Sequence, residues 1–212
     1  MIAVIASLIG FGAVGMSLAQ QAPKTTGLDA QVSEFLNRAR NSWSDSNVPY
    51  VDGSILHHLV LKDGHRNILE IGTSTGYSTI WLAWAASKTG GKVTTIEIDE
   101  GRHRTALDNF KKAGAAAYID ARLGDAHDLV RTVSGPFDFV FSDADKEWYL
   151  RYFRDLAPKV SVNGCFTAHN VLWESDPGIK AFLDYVTKDP KFRTTIEHGS
   201  GEGISVSYKI AG

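Results

Sequence analysis

This chain has a single cysteine, Cys165, so no internal disulfide can form and a metal site built from several thiolates is excluded. It also lacks an excess of basic residues. Its 22 Lys and Arg stand against 24 Asp and Glu, for a formal net charge of −2, and the cations are scattered rather than gathered into a stripe. A polyanionic partner, nucleic acid included, is therefore not expected. No repeat and no low-complexity run interrupts the 212 residues, which suffice for one domain with a full core. Charge is missing altogether from residues 1–20, which are rich in Ile, Val, Leu, Ala and Gly and close on Ser17, Leu18 and Ala19. That segment reads as a secretory signal cleaved after Ala19, though without a basic start, or as an uncleaved membrane anchor. A buried helix is the plainer alternative. In each case residues 1–19 are set apart from the fold.

One more absence falls at the most informative stretch, NILEIGTSTGYS over residues 67–78. An apolar run turns through Gly72 and Gly76 and enters a helical pattern, so the turn lets a ligand approach the backbone and aims free helix N–H groups at it. The spacing lacks the middle glycine of the Gly-x-Gly-x-x-Gly fingerprint that brings a backbone against a dinucleotide pyrophosphate. The next strand-like run, VTTIEI, carries Glu97 near its end, where an acid can accept hydrogen bonds from ribose hydroxyls. Glu70 adds further negative potential. An adenosine-bearing sulfonium suits such a pocket better than NAD does.

From about residue 26 onward, helical and extended patterns alternate, which implies an α/β sandwich around a mostly parallel sheet. Strands are expected over 67–71, 93–98, 117–122, 137–142, 164–168, 192–197 and 203–208, the last two pairing as an antiparallel hairpin at one edge. Helices are expected over 28–44, 52–62, 77–88, 100–113, 126–133, 146–156 and 177–188. Gly135-Pro136 and Asn163-Gly164 mark boundaries. In such sheets ligands bind beyond the carboxyl ends of the strands. Reading those ends alone gives Glu70 with Gly72, then Glu97, then Asp125 and Ala126, then Asp143 with Lys146, then His169 and Asn170. Asp143, His169 and Asn170 offer a carboxylate, an imidazole and an amide oxygen, a three-point face suited to an octahedral divalent cation. Lys146, three residues after Asp143, reads either as a group sharing that cleft or as an ordinary solvated lysine at a helix start.

With these blocks in view, the chain resembles the cation-dependent class I O-methyltransferases that use S-adenosylmethionine, the catechol and caffeoyl-CoA type. The resemblance rests on NILEIGTSTGYSTIWLA, VTTIEID, LGDAHDLV, FDFVFSDADKEWYLRYF, HNVLWES and GSGEGISV, in that order along the chain, with NVPYVDG upstream. It implies a Rossmann-like sandwich with a seven-stranded sheet, helices on both faces, and a methyltransferase domain over 46–212 preceded by a linker and helix over 20–45. It further implies that Val48, Glu70, Gly72, Thr73, Gly76, Tyr77 and Ser78 surround the methionine end of S-adenosylmethionine. Glu97 and Ile98 would hold the ribose, and Asp125 and Ala126, with His127 beside them, would frame the adenine. Asp143 would serve both cofactor and metal, with Lys146 as general base. Tyr50, Trp173 and Glu202 would face a small aromatic hydroxyl substrate, with Trp173 and Trp148 as candidate aromatic walls. Relatives include dimers, so a homodimer is a further expectation.

One position departs from the pattern. The family carries Asp-Asn after the fifth strand, and this chain has His169-Asn170. Two readings follow: an imidazole ligand that shifts preference from Mg²⁺ toward Mn²⁺, Fe²⁺, Co²⁺, Ni²⁺ or Zn²⁺, or a general base with no metal bound. A protein that binds the cofactor without catalysis is the rival to an enzyme. Residues 1–19 imply export, periplasmic or secreted, or membrane attachment, whereas S-adenosylmethionine is made in the cytoplasm. A cytoplasmic-side anchor or a mis-assigned start would reconcile the two.

Overall fold

The computed structural model describes residues 27–40, 42, 45–173 and 175–212. The expectations for residues 1–19 and for the linker up to residue 26 lie outside the described residues. Among the described residues no helix is long and apolar enough to cross a membrane.

Seven strands form one sheet: β1 Asn67–Ile71, β2 Lys92–Glu97, β3 Ile119–Leu123, β4 Phe137–Ser142, β5 Val160–His169, β6 Phe192–Glu197 and β7 Ile204–Lys209. Their spatial order is β3-β2-β1-β4-β5-β7-β6. The first five run parallel, while β7 pairs antiparallel with both β5 and β6. The order reverses direction at β1, which has β2 on one side and β4 on the other, and this opens a crevice at the strands' carboxyl ends.

The helices are α1 Gly27–Ala39, α2 Tyr50–Asp63, α3 Tyr77–Thr89, α4 Glu100–Lys112, α5 Ala126–Thr132, α6 Tyr149–Leu156 and α7 Pro177–Val186. Alternating strand residues sort them onto two faces, as the two-residue period of a pleated sheet requires. Ile68, Phe139, Phe141 and Cys165 pack against Val32, Leu36, Leu56, Val60, Ile80 and Phe110 of α1 to α4. Leu69, Ile71, Val140 and Phe166 pack against Val130, Phe153, Ile179 and Phe182 of α5 to α7. Phe153 is the hub of that second face, with ring centroids 4.9 Å from Phe192 and 5.2 Å from Phe166. Truncating such a ring to alanine costs about 3–5 kcal/mol.

Four segments differ from the sequence reading. Helix α1 ends at Ala39, shorter than expected. The expected third strand at 117–122 starts later, because Ala116–Tyr118 form a 3₁₀ turn ahead of β3. The helix expected over 146–156 is a 3₁₀ turn, Lys146–Trp148, followed by α6. Asp145 caps that turn by accepting from the Glu147 N–H at 3.1 Å. Finally, β5 begins at Val160 and carries Asn163-Gly164 inside it. The pair is a local irregularity rather than a boundary: Asn163 has φ +68°, and a Cβ on Gly164 would lie 2.8 Å from the Asp138 carbonyl oxygen.

Candidate active site

A cleft of about 600 Å³ opens where the parallel strands end. Of the residues singled out in the sequence, Gly72, Glu97, Ile98, Asp125, Ala126, Asp143, Lys146, His169, Asn170, Trp173 and Glu202 line it, together with His127. Val48, Tyr50, Glu70, Thr73, Gly76, Tyr77 and Ser78 do not, and each has a different place.

The first turn shows why. Gly72 has φ +94° and packs directly on the β4 loop: a Cβ there would lie 2.4 Å from the Asp143 carbonyl oxygen. The glycine thus brings β1 against the loop that carries Asp143. Gly76, also left-handed, opens α3 where a Cβ would lie 2.4 Å from Phe110. Glu70 lies wholly buried beneath the turn, one oxygen accepting from Ser78 Oγ at 2.6 Å and the other from Thr79 and from Thr95 Oγ1. Burial pushes its carboxyl up to about 7 despite those three hydroxyls, which pull it down. Thr73 continues the network through a 2.5 Å bond with Thr95. Glu70, Ser78 and Thr73 therefore brace the turn from below and do not touch the cleft.

Tyr77 is buried, with its hydroxyl donating to the Leu36 carbonyl, and Val48 belongs to the core. Tyr50, expected to face substrate, turns away instead. Its ring stands edge-on to Trp81 at 5.0 Å and under the Arg40 guanidinium at 4.3 Å. Trp148 stacks on His127 at 3.7 Å with 20° between the planes, so it packs rather than walls the cleft. Trp173 is 46% exposed at the rim.

On the β2 side, Glu97 is buried and fixed. Its two oxygens accept the backbone N–H groups of Ser74 at 2.7 Å and Asp99 at 2.9 Å. A carboxylate has about four lone-pair positions, so it can still accept from a ligand's hydroxyls. Asp125 caps α5 by accepting from the His127 N–H at 2.8 Å. Ala126 follows at the first helical position, presenting a small apolar surface beside that cap.

On the β4–β5 side, four ionisable groups form a chain. Lys146 Nζ donates to Asp143 Oδ1 at 2.7 Å and to the Tyr149 hydroxyl at 2.8 Å. His169 Nδ1 lies 3.4 Å from Asp143 Oδ2, and its Nε2 lies 2.8 Å from Asp52 Oδ2. Asp52 also accepts from Ser200 Oγ at 2.6 Å. Burial alone would raise the Asp143 carboxyl, but the hydrogen bond and charge of His169 and the charge of Lys146 hold it below the ordinary carboxylate range. Burial would likewise lower His169, yet its bonds to Asp143 and Asp52 raise it to about 9. Asn170, held at φ +57°, donates its amide nitrogen to Glu202 Oε2 at 2.8 Å.

Asp143, His169 and Asn170, the set expected to hold a divalent cation, line the same cleft. A histidine ligand must offer a lone pair from a neutral ring; the Nε2 of His169 is bonded to Asp52, as the outer nitrogen of a ligating histidine commonly is to a carboxylate, and its Nδ1 faces Asp143 across 3.4 Å. Asp143 Oδ1 accepts from Lys146 while Oδ2 faces the His169 ring, and the bond from the Asn170 amide nitrogen to Glu202 does not use its amide oxygen. Among the described residues no group of three or more His, Cys, Asp or Glu side chains is arranged to hold a metal ion, so the amide oxygen of Asn170 would have to complete the set. Asp52 went unnoticed in the sequence, although a signal was present. It shares the buried face of α2 with Leu56, Leu59 and Val60, and an acid on an apolar stripe needs a partner.

The geometry has counterparts. The profile of a family described as O-methyltransferase matches residues 25–180. The chain belongs to the O-methyltransferase family. A catechol O-methyltransferase of Niastella koreensis is 38% identical over 130 residues, covering 57% of this chain and 58% of that protein. Caffeoyl-CoA O-methyltransferase 1 of Eucalyptus globulus is 34% identical over 140 residues, covering 64% of this chain and 56% of that protein. The alignments thus span a little over half the length of these relatives. Among solved structures, an O-methyltransferase from Bacillus cereus in complex with SAH superposes with a TM-score of 0.74 at 32% identity, covering 85% of this chain and 91% of that one. An O-methyltransferase of Streptomyces achromogenes involved in tomaymycin synthesis, in complex with SAM, gives a TM-score of 0.72 at 27% identity, over 86% and 91% of the two chains. For this O-methyltransferase family member, the cleft at the strand ends is the candidate active site.

Proposed function

We propose that this chain transfers a methyl group from S-adenosylmethionine to one hydroxyl of a small aromatic diol, of catechol or hydroxycinnamoyl type. One observation carries the reading: a single cleft presents Glu97, Asp125 and Ala126 at one side and the Asp143–Lys146 pair at the other. The first group suits an adenosine, with ribose hydroxyls donating to Glu97. The second suits a hydroxyl that must lose its proton. The names of the relatives, catechol and caffeoyl-CoA O-methyltransferase, support the acceptor class.

In this reading Lys146, a cation beside Asp143 at rest, first gives up a proton to water, and its amine form then takes the hydroxyl proton while the Asp143 carboxylate orients the Nζ. A lone pair of the resulting phenolate forms the new O–C bond with the sulfonium methyl. The C–S bond breaks with its electrons going to sulfur, leaving a methyl ether and S-adenosylhomocysteine. Positioning of the two reactants supplies most of the acceleration. A divalent cation, if held by Asp143, His169 and Asn170, would supply Lewis-acid activation of the acceptor hydroxyl.

Purified protein incubated with methyl-labelled S-adenosylmethionine and catechol tests this by mass spectrometry of the products. The reading expects a labelled monomethyl ether in a 1:1 ratio, by reaction stoichiometry, with S-adenosylhomocysteine. Cofactor binding without any methylated diol or hydroxycinnamoyl ester would favour a cofactor-binding protein instead.

A further inference from the structure

A second hollow lies away from the strand ends that carry the cleft. It encloses about 840 Å³ between the carboxyl ends of α6 and α7, the start of β6 and the end of β7, and it shares no residue with the cleft. Part of its lining is aromatic. Phe153 and Phe192 are buried with ring centroids 4.9 Å apart, and Tyr185, 39% exposed, stands 6.0 Å from Phe153.

Arg154, Lys188, Lys191 and Lys209 line the same hollow against the carboxylates of Asp184 and Asp189, with Gly212 also in the lining. Both acids are engaged. Asp184 pairs with Lys180 at 2.6 Å, and Asp189 Oδ1 accepts the Lys191 backbone N–H at 2.9 Å. Among the described residues, Arg154, Lys188 and Lys191 have no carboxylate oxygen within 4.0 Å of their charged nitrogens. Cations gather at helix carboxyl ends to meet free carbonyls, but here those carbonyls have donors. Leu183 and Tyr185 accept from the N–H groups of Thr187 and Lys188, and Ala157 and Val160 accept from Lys209 Nζ at 2.9 and 2.8 Å. Lys209 is thereby accounted for, and the other three cations are not.

Lys209 is 8% exposed. Burial, and then the charge of Lys191, hold its ammonium below the ordinary lysine range. An anion beside the two would relieve that repulsion. Arg154 sets its guanidinium 4.7 Å over the Tyr185 ring. A guanidinium fork with two ammonium groups matches the oxygens of a phosphate, and the aromatic lining suits a flat apolar body.

We infer that this hollow is a second binding site, for a small phosphate monoester carried on an aromatic body. Arg154, Lys188 and Lys191 hold the phosphate, and Tyr185 packs against the ring. The cleft takes no part, so the inference stands independently of the methyl-transfer reading.

Phenyl phosphate is the probe, with inorganic phosphate and phenol as its separated halves. Calorimetry on the purified full chain in phosphate-free buffer gives the affinities, and backbone amide chemical shifts locate the site. Phenyl phosphate is expected to bind at a single site at least about fivefold more tightly than inorganic phosphate, since part of a phenyl ring leaves water. Phenol should bind at least about tenfold more weakly than phenyl phosphate, because the charged contacts are missing. Shifts should gather at Tyr185, Lys188 and Lys191 and spare Glu97 and Asp143. Lys188→Gln combined with Lys191→Gln, both exposed positions, should weaken phenyl phosphate at least about tenfold.

No saturable binding below about 10 mM, equal affinity for phenyl phosphate and inorganic phosphate, or shifts centred on Glu97 and Asp143 would each overturn the proposal. These results are read on wild type and hold even if the double variant does not fold. A folded double variant with undiminished affinity would overturn it too. Absence of methyl transfer would overturn the methyl-transfer reading alone.

Discussion

Glu70→Gln should make this protein more stable at alkaline pH and leave it unchanged in acid. Glu70 is fully buried, and its carboxyl is raised from its ordinary 4.5 to about 7 because burial penalises the charge more than Ser78, Thr79 and Thr95 relieve it. At acid pH the group is neutral in both folded and unfolded chains and carries no penalty. As pH climbs from 4.5 through about 7, the unfolded chain ionises this acid first and the folded state loses ground. A rise of that size corresponds to about 3 kcal/mol, complete above about pH 7. Glutamine keeps the shape, and its amide can donate to Ser78 Oγ while its oxygen accepts from the two threonines. For a chain of this length, about 3 kcal/mol moves Tm by roughly 6–12 °C. Thermal melts followed by circular dichroism should therefore place the variant roughly that far above wild type at about pH 8.5 and nearly level with it at about pH 5. Two curves running parallel across the range, or a variant that melts lower at the alkaline end, would refute the reasoning.

Further outcomes follow from the cleft. Gly72→Ala must place a Cβ 2.4 Å from the Asp143 carbonyl at a left-handed φ. It should cost about 2–4 kcal/mol in urea unfolding and lower turnover by shifting Asp143. Glu97→Ala should weaken S-adenosylmethionine binding about 10–100-fold in calorimetry, since hydrogen bonds to a charged group and the hold on Ser74 and Asp99 are lost together. Lys146→Met should lower kcat about 10²–10⁴-fold, with cofactor affinity unchanged within about threefold, as its contacts lie on the Asp143 and Tyr149 side.

Much of this was legible because strand ends and helix periods leave direct marks. β1, β4 and β6 fall on their expected residues, and apolar alternation such as Phe139, Val140 and Phe141 encodes which face each side chain joins. What the sequence hid was depth. Glu70 sits one residue from the end of β1, and only the packed turn reveals that it points down into a hydroxyl cage rather than out to a ligand. Tyr50 follows Pro49 into α2, and its direction was set by Trp81, a residue on another helix. Asp52 and His169 are 117 positions apart. No local pattern joins them, so the carboxylate that grips the histidine's ring from behind is visible only in the fold. The 3₁₀ turn at Lys146–Trp148 was invisible for a related reason, since the Asp145 cap fits either helix type.

The most direct test of the account is a crystal structure of the protein with S-adenosylhomocysteine and catechol bound. The account predicts ribose hydroxyls on Glu97, the adenine beside Asp125 and Ala126, and the sulfur and a catechol oxygen meeting next to Lys146 and Asp143. Ligand bound elsewhere, or a catechol oxygen remote from Lys146 while the nucleoside fills the cleft, would contradict it.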